Sequence, residues 1–395
     1  MGAQQMTQFN TSTPFPSLLA DDLDQASGLF RVLDEQGVPI TSSLVDGDTG
    51  VSDEAALRIW KTMVRVRTVD ERMLALQRQG RIGFYGAATG QEAGVVGAAE
   101  ALEFEDWIHP ALREGGMALH RGFSLRTWLA HCFGNEEDTC TKGRQMPCHY
   151  GSRAHNYVTL SSVMTTQFPQ AVGTAYAMAL RHPKQADRPV CFAAIGDGAT
   201  SEGDFHVAMN FAGVMKPGGI GLPLVLFCQN NQWAISTPFD KQCAAPSLAL
   251  KAIGYGLAGV RVDGNDALAV TRVVKAAAAQ ARAGGVPVFI EALTYRVGAH
   301  TTSDDPSRYR DESITDRWRE LDPIVRLERY LARQGVLAED QVNSWRDDCD
   351  REVRGLLEDV ESLPAPQLLS LFEDVYAEVP PHLQRQFDDA SALGQ

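Results

Sequence analysis

Residues 189–206 read PVCFAAIGDGATSEGDFH and residues 224–231 read LVLFCQNN. Each opens on a short apolar run and closes on small and oxygen-bearing residues. Runs of this kind, without polar alternation, suit strands buried on both faces, as in a parallel sheet. A helix is expected between them, over roughly 202–215. The theme continues with a strand at Val260–Val262, a helix from Asp266 to about Arg282, and a strand over Val288–Tyr295. Strand, helix and strand in repetition give an α/β fold with a doubly wound parallel sheet.

In such a sheet, ligands bind outside the carboxyl ends of the strands. The first strand ends in Gly196-Asp197-Gly198 and the second in Gln229-Asn230-Asn231. A carboxylate and an amide carbonyl side by side suit a hard cation such as Mg²⁺, which completes its shell with water and phosphate oxygens. Gly196 and Gly198 would let the backbone approach a phosphate, and the following helix would point its first amides there. Gly-Asp-Gly alone is also a common turn. With Asn-Asn at the next strand end the pair becomes specific.

Outward from this centre, residues 1–50 read as an N-terminal arm that crosses a surface or docks on a partner, with one strand-like piece at Phe30–Leu33. A helix starts at Asp53, capped by Ser52 or Asp53, with Leu57, Ile59, Trp60, Val64 and Val66 apolar. Gly90, Gly94 and Gly97 would form one smooth helix face; close packing is favoured over phosphate cradling, which needs glycines ahead of the helix. After residue 312 the chain reads as a helical C-terminal cap. Asp322 caps one helix with Pro323 at its first position, and Val342, Trp345, Cys349, Val353, Leu356 and Val360 line a second. The division is therefore 1–50, 51–311 and 312–395.

The 395 residues are 44% hydrophobic and 22% charged, enough for a sizeable core. With 36 Lys and Arg against 50 Asp and Glu, the formal net charge is −14. This argues against nucleic acid or an anionic membrane as main partner, yet leaves room for a small anion held by local donors. No apolar stretch is long enough to span a bilayer. The first basic residue is Arg31, after Asp21, Asp22 and Asp24, which fits neither a secretory signal nor a transit peptide. The seven cysteines form no C-x-x-C pair and read as reduced thiols, so a cytoplasmic, bacterial-type chain is expected.

GDG followed by NN resembles the thiamine diphosphate motif. Longer stretches resemble one family, the alpha subunit of the branched-chain 2-oxo acid dehydrogenase decarboxylase component. They run, in the family's order, through FRVLDEQG (30–37), QRQGRIGFY (77–85), KGRQMPCHYG (142–151), SSVMTTQFPQAVG (161–173), GDGATSEGDFH (196–206), NNQWAIST (230–237), RVDGNDALAV (261–270), TYRVGAHTTSDDPSRYR (294–310) and FEDVYAEVP (372–380). The resemblance implies a fold of the thiamine diphosphate-binding type. It implies that Asp197, Asn231 and the main-chain carbonyl of Trp233 hold Mg²⁺, and that Arg113 binds the diphosphate with Gly196, Gly198 and Ala199 beside it. Ser162 and Met164 would line the cofactor. Ser161, Val163, Thr166 and Gln167 match a structural K⁺ site. His300 matches the active-site histidine, supported by Arg296. The loop from Asp304 to Arg310 would border the active-site channel, and Thr301 stands where animal members carry a phosphoserine, with no regulation expected here.

The implied partners are a beta subunit in an α₂β₂ heterotetramer, which supplies the glutamate that activates the cofactor, and a lipoyl-bearing acyltransferase core. The implied substrates are branched-chain 2-oxo acids. Two positions depart from the family: Leu112 replaces a tyrosine before the diphosphate arginine, and Gln229 replaces an arginine before NN. Each removes a donor to an anion, worth ~1.5–3 kcal/mol for a charged hydrogen bond. The longer spacing between GDG and NN is ascribed to a surface insertion around 216–219. Two alternatives stay open: a pyruvate or acetoin dehydrogenase alpha subunit, and a structural or regulatory paralogue that binds cofactor weakly.

Overall fold

The computed structural model describes residues 28–41, 48–184, 188–215, 220–284, 287–373 and 375–393. Most of the N-terminal arm, at 1–27 and 42–47, and the insertion expected at 216–219 lie outside the described residues.

Five parallel strands form the central sheet: β1 (Trp107–His109), β2 (Cys191–Gly196), β3 (Leu224–Asn230), β4 (Ala258–Asp263) and β5 (Val288–Leu293). Their order is β1-β2-β3-β5-β4. Side chains alternate along each strand, and both faces are buried. Cys191, Ala193, Ile195, Leu224, Leu226, Cys228 and Phe289 pack in one apolar cluster, whereas Phe192, Ala194, Val225, Phe227, Val288 and Ile290 pack in the other. The strands therefore read as continuous apolar runs, as expected for a doubly wound sheet.

Gly196 pairs with Gln229, and Asn230 pairs with Leu293. This register ends three neighbouring strands at one level, so Asp197, Asn231 and Thr294 emerge along a single edge. Strand β3 runs further than expected. Asn230 lies inside it, with Nδ2 donating to buried Glu291 at 2.6 Å, and only Asn231 leaves the sheet.

Helices α1 (Asp53–Arg78), α2 (Glu92–Ala101), α3 (Gln167–Arg181), α4 (Gly203–Val214) and α5 (Ala267–Arg282) surround the sheet. The side chain of Ser52 caps α1, accepting from Ala55 N at 3.3 Å, and Asp266 caps α5, accepting from Ala269 N at 3.1 Å. Helices α3 and α4 cover one face; α2 and α5 cover the other. The expectation for the three glycines needs correction. Helix α2 starts only at Glu92, so Gly90 precedes it, with a φ of 92°. Gly97 is the packing residue: a Cβ there would lie 2.7 Å from the Ala267 carbonyl oxygen of α5. Phosphate cradling has no support, since the Glu92 carboxylate itself accepts from Gly90 N at 2.9 Å at that helix end.

The described part of the arm docks on its own chain. Phe30 bridges Val262 in parallel, extending the sheet beyond β4. Asp266 Oδ2 accepts from Val32 N and Leu33 N at 2.9 and 2.7 Å. At the far end, helices α6 (Pro323–Arg333) and α7 (Glu339–Glu361) lie against α1, and Leu327, Leu331, Val353 and Val360 join its apolar cluster. Asp322 caps α6 as expected, accepting from Ile324 N at 2.8 Å, with Pro323 in the first turn. Among the described residues no helix is long and apolar enough to cross a membrane.

Candidate active site

The carboxyl ends of β2, β3 and β5 surround one polar region. Asp197 starts a short 3₁₀ turn after β2 and is 2% exposed. Burial pushes its carboxyl up to about 6, while its own main-chain amide, the charge of Arg296 and the main chain of Asn231 pull the other way. A buried carboxylate whose ionisation is this costly fits a cation that would restore its charge. Beside it, a Cβ at Gly196 would enter open space, the kind of gap a phosphate can approach. Gly198, by contrast, is filled against Ala234.

Asn231 follows β3 and is buried. Its Oδ1 accepts from Trp233 N at 3.2 Å and its Nδ2 donates to Gln91 at 2.9 Å. The chain then turns sharply, with Gln232 and Ile235 at φ values of 73° and 56°. Arg296, 1% exposed, braces this turn. Its Nη1 donates to the Trp233 carbonyl at 3.2 Å, and its Nη2 donates to the Ile235 carbonyl at 2.6 Å and Tyr309 Oη at 3.0 Å. The carbonyl expected to face a cation thus already accepts one hydrogen bond and keeps its second lone pair.

Arg113 and His300 meet on the other side. Arg113 donates to the carbonyl oxygens of Ala87 and His300, the latter at 2.7 Å. Burial and the nearby Arg296 push the Arg113 guanidinium down to about 10. Burial, Arg113 and Arg296 together push His300 down to about 4. Asp304 holds the loop, accepting from His300 N at 2.7 Å and Tyr309 Oη at 2.6 Å.

The segment 161–167 lies beside the β2 turn: Thr165 Oγ1 donates to the Ala199 carbonyl at 2.9 Å. Gln167 Nε2 donates to the Ala194 carbonyl at 2.8 Å, and its buried Oε1 has no partner among the described residues. An orphaned acceptor fits a monovalent cation. Val163 O accepts from Thr166 N at 3.3 Å, and Ser161 Oγ accepts from Val163 N at 3.2 Å. Ser162 pairs with His149, while Val163 and Met164 are exposed.

Two expected residues sit differently from the anion-facing role their departures suggested. Gln229 is buried and donates to Glu114 Oε1 at 2.5 Å, inside the fold. Leu112 packs over Gly86. Gln91, Glu114 and Gln242, whose amide lies 3.4 Å from Asp197 Oδ2, were not singled out from the sequence. Only long-range pairing reveals them; each is an ordinary polar residue in its local text.

Residues 60–368 match the family model described as "Dehydrogenase E1 component". The chain is 39% identical over 394 residues to the human "2-oxoisovalerate dehydrogenase subunit alpha, mitochondrial", covering 97% of this chain and 86% of that protein. It is 40% identical to the protein of the same name from Caenorhabditis elegans, covering 94% and 84%. The counterpart from Dictyostelium discoideum is 41% identical, covering 90% and 78%. These relatives overturn one expectation. They are mitochondrial by name, so the cytoplasmic, bacterial-type placement does not stand.

Proposed function

Because this chain belongs to the dehydrogenase E1 component family, we propose that it is the alpha subunit of a 2-oxo acid dehydrogenase, acting on 2-oxoisovalerate and related branched-chain 2-oxo acids. Similarity over 97% of the chain to a 2-oxoisovalerate dehydrogenase subunit supports this, and the meeting of Asp197 and Asn231 at adjoining strand ends carries it into chemistry. Thiamine diphosphate, when bound, supplies the carbanion and the electron sink for loss of CO₂ from a 2-oxo acid.

The chain's own part is to anchor and to move protons. Asp197 and Asn231, with the Trp233 carbonyl, would hold Mg²⁺, whose charge would offset that of the diphosphate. Arg113 binds the diphosphate, with the open backbone at Gly196 and the Gly198 and Ala199 amides beside it. Ser162 and Met164 line the cofactor, and the loop of Ser161, Val163, Thr166 and Gln167 takes K⁺. Burial, Arg113 and Arg296 keep His300 neutral near pH 7; an anion taken up by Arg113 would relieve part of that opposing charge, and the ring could then exchange a proton during acyl transfer. Arg296 fixes the Trp233–Ile235 turn on which the cation site depends.

Residues 51–311 make the cofactor domain, with the arm before it and a helical region after it. A beta subunit completes the site in an α₂β₂ assembly, and a lipoyl-bearing acyltransferase core receives the acyl group. The outer side of α4, with Val207, Phe211 and Val214 exposed, is consistent with burial in such an assembly.

Co-purified alpha and beta chains should release CO₂ from 2-oxoisovalerate faster than from pyruvate, dependent on thiamine diphosphate and Mg²⁺. A preference for pyruvate would move the chain to the pyruvate or acetoin class. No cofactor binding at millimolar concentration would make it a structural paralogue.

A further inference from the structure

A primary amide is useful as a cation ligand only if its oxygen, not its nitrogen, faces the ion. The geometry around Asn231 decides this. Trp233 N–H points at one end of the carboxamide from 3.2 Å, so that end must be the oxygen. The nitrogen then faces the opposite way and needs an acceptor. Gln91 provides it: its Oε1 accepts from Asn231 Nδ2 at 2.9 Å. Reversing both amides would set the Trp233 N–H against an NH₂ group, donor to donor, so the pair has one workable arrangement.

Gln91 is well placed to impose it. The residue is fully buried, and its own Nε2 has no partner among the described residues. Such an orphan is costly, and is tolerated where the oxygen has a task. Its backbone is pinned on both sides. The Gly90 carbonyl accepts from Thr294 Oγ1 at 3.0 Å, and the Thr89 carbonyl accepts from Val297 N at 3.3 Å. A Cβ at Gly90 would lie 2.5 Å from the Tyr295 carbonyl oxygen, so nothing larger than glycine fits there. The 89–91 turn is thereby fixed to the segment that leads from β5 to Arg296 and His300.

We propose that Gln91 is a positioning residue of the cation site, holding the Asn231 carboxamide with its oxygen available for the metal. This rests on the reading of Asp197 and Asn231 as metal ligands. The assembled alpha–beta complex with thiamine diphosphate is titrated with Mn²⁺, and free ion is read by electron paramagnetic resonance. Melting temperatures are recorded without cation. Gln91→Met, which removes the acceptor, should weaken Mn²⁺ about 10–100-fold, the usual loss when an outer partner of a metal ligand is removed. Gln91→Glu keeps an acceptor and should stay within about threefold of the parent on the same scale. Gln91→Ser, too short to reach Asn231, should repeat the loss, with the cavity it leaves showing in the melting temperature.

Mn²⁺ affinity of the Met and Ser variants equal to the parent's would overturn the proposal. So would a Glu variant that loses as much as they do, because an acceptor facing Asn231 would then not be what the site needs. A parent complex that takes up no Mn²⁺ would instead overturn the metal reading itself.

Discussion

Arg113 Nη2 donates to the carbonyl oxygen of His300 at 2.7 Å and lies 3.4 Å from the imidazole Nδ1 of the same residue. The diphosphate-binding arginine expected from the sequence and the expected active-site histidine are therefore one electrostatic unit. A guanidinium this close opposes protonation of the ring.

Burial, then Arg113 and Arg296, push His300 down to about 4, against an ordinary ~6.5. The unfolded chain would bind a proton that the folded chain refuses, so this group costs stability as pH falls from ~6.5 towards 4. Histidine-selective NMR titration should place the His300 inflection well below the free value, and Arg113→Met should move it upward. An inflection at the free value in the parent protein would contradict the geometry.

Asp197 gives a prediction with two opposite signs. Its carboxyl is pushed up to about 6 by burial. Without a cation, the folded chain favours the protonated form, so stability declines as pH rises from ~3.9 to about 6 and stays reduced above it. Asp197→Asn removes this cost. The cofactor-free variant should melt no lower than the parent at neutral pH, yet lose Mg²⁺-dependent retention of thiamine diphosphate. Retention equal to the parent's would refute the metal assignment.

What could be read from the sequence follows from burial. Strands β2 and β3 are apolar on both faces, so no partner element was needed to recognise them. Strand β1 has three residues, Trp107–His109, too short to show any period, and it was not foreseen. Gln229 shows how local text misleads. Strand β3 continues two residues past its apolar run, and alternation turns Gln229 inward onto Glu114. Asp266 was legible only as the start of a helix. Its second oxygen holds Val32 and Leu33, more than two hundred positions away, which no local pattern reports. The site behaves likewise: its strand-end residues stand in recognisable motifs, whereas Gln91 meets Asn231 only after folding.

Gly97 separates packing from phosphate binding. A Cβ there would press on the Ala267 carbonyl and lie 3.2 Å from the Val270 Cβ. Gly97→Ala should destabilise the chain by ~1–3 kcal/mol, the usual cost of overpacking. Chemical denaturation would show it as a lower midpoint with unchanged slope. Half-saturation by thiamine diphosphate should stay where it was, since the helix end nearby carries Glu92. A loss of cofactor affinity without loss of stability would return the glycine to a phosphate role.

The loop before α3 offers a test by ion exchange. Gln167 is anchored through its amide nitrogen to the Ala194 carbonyl, which leaves a buried oxygen unpaired. Thr165, at a φ of 70°, is tied to Ala199, two residues beyond Asp197. A K⁺ ion bound by Gln167 Oε1 and the Val163 carbonyl would satisfy the orphan and stiffen the backbone beside the cation site. Replacing Na⁺ by K⁺ at constant ionic strength should raise the melting temperature by roughly 1 °C for each kcal/mol of binding in a chain of this length. Gln167→Leu should abolish that difference. Because Leu also removes the amide that donates to the Ala194 carbonyl, the variant should melt below the parent in Na⁺ and fail to respond to K⁺. Equal melting of the parent in both salts, or a K⁺ response that survives in Gln167→Leu, would show that the orphan oxygen is met some other way.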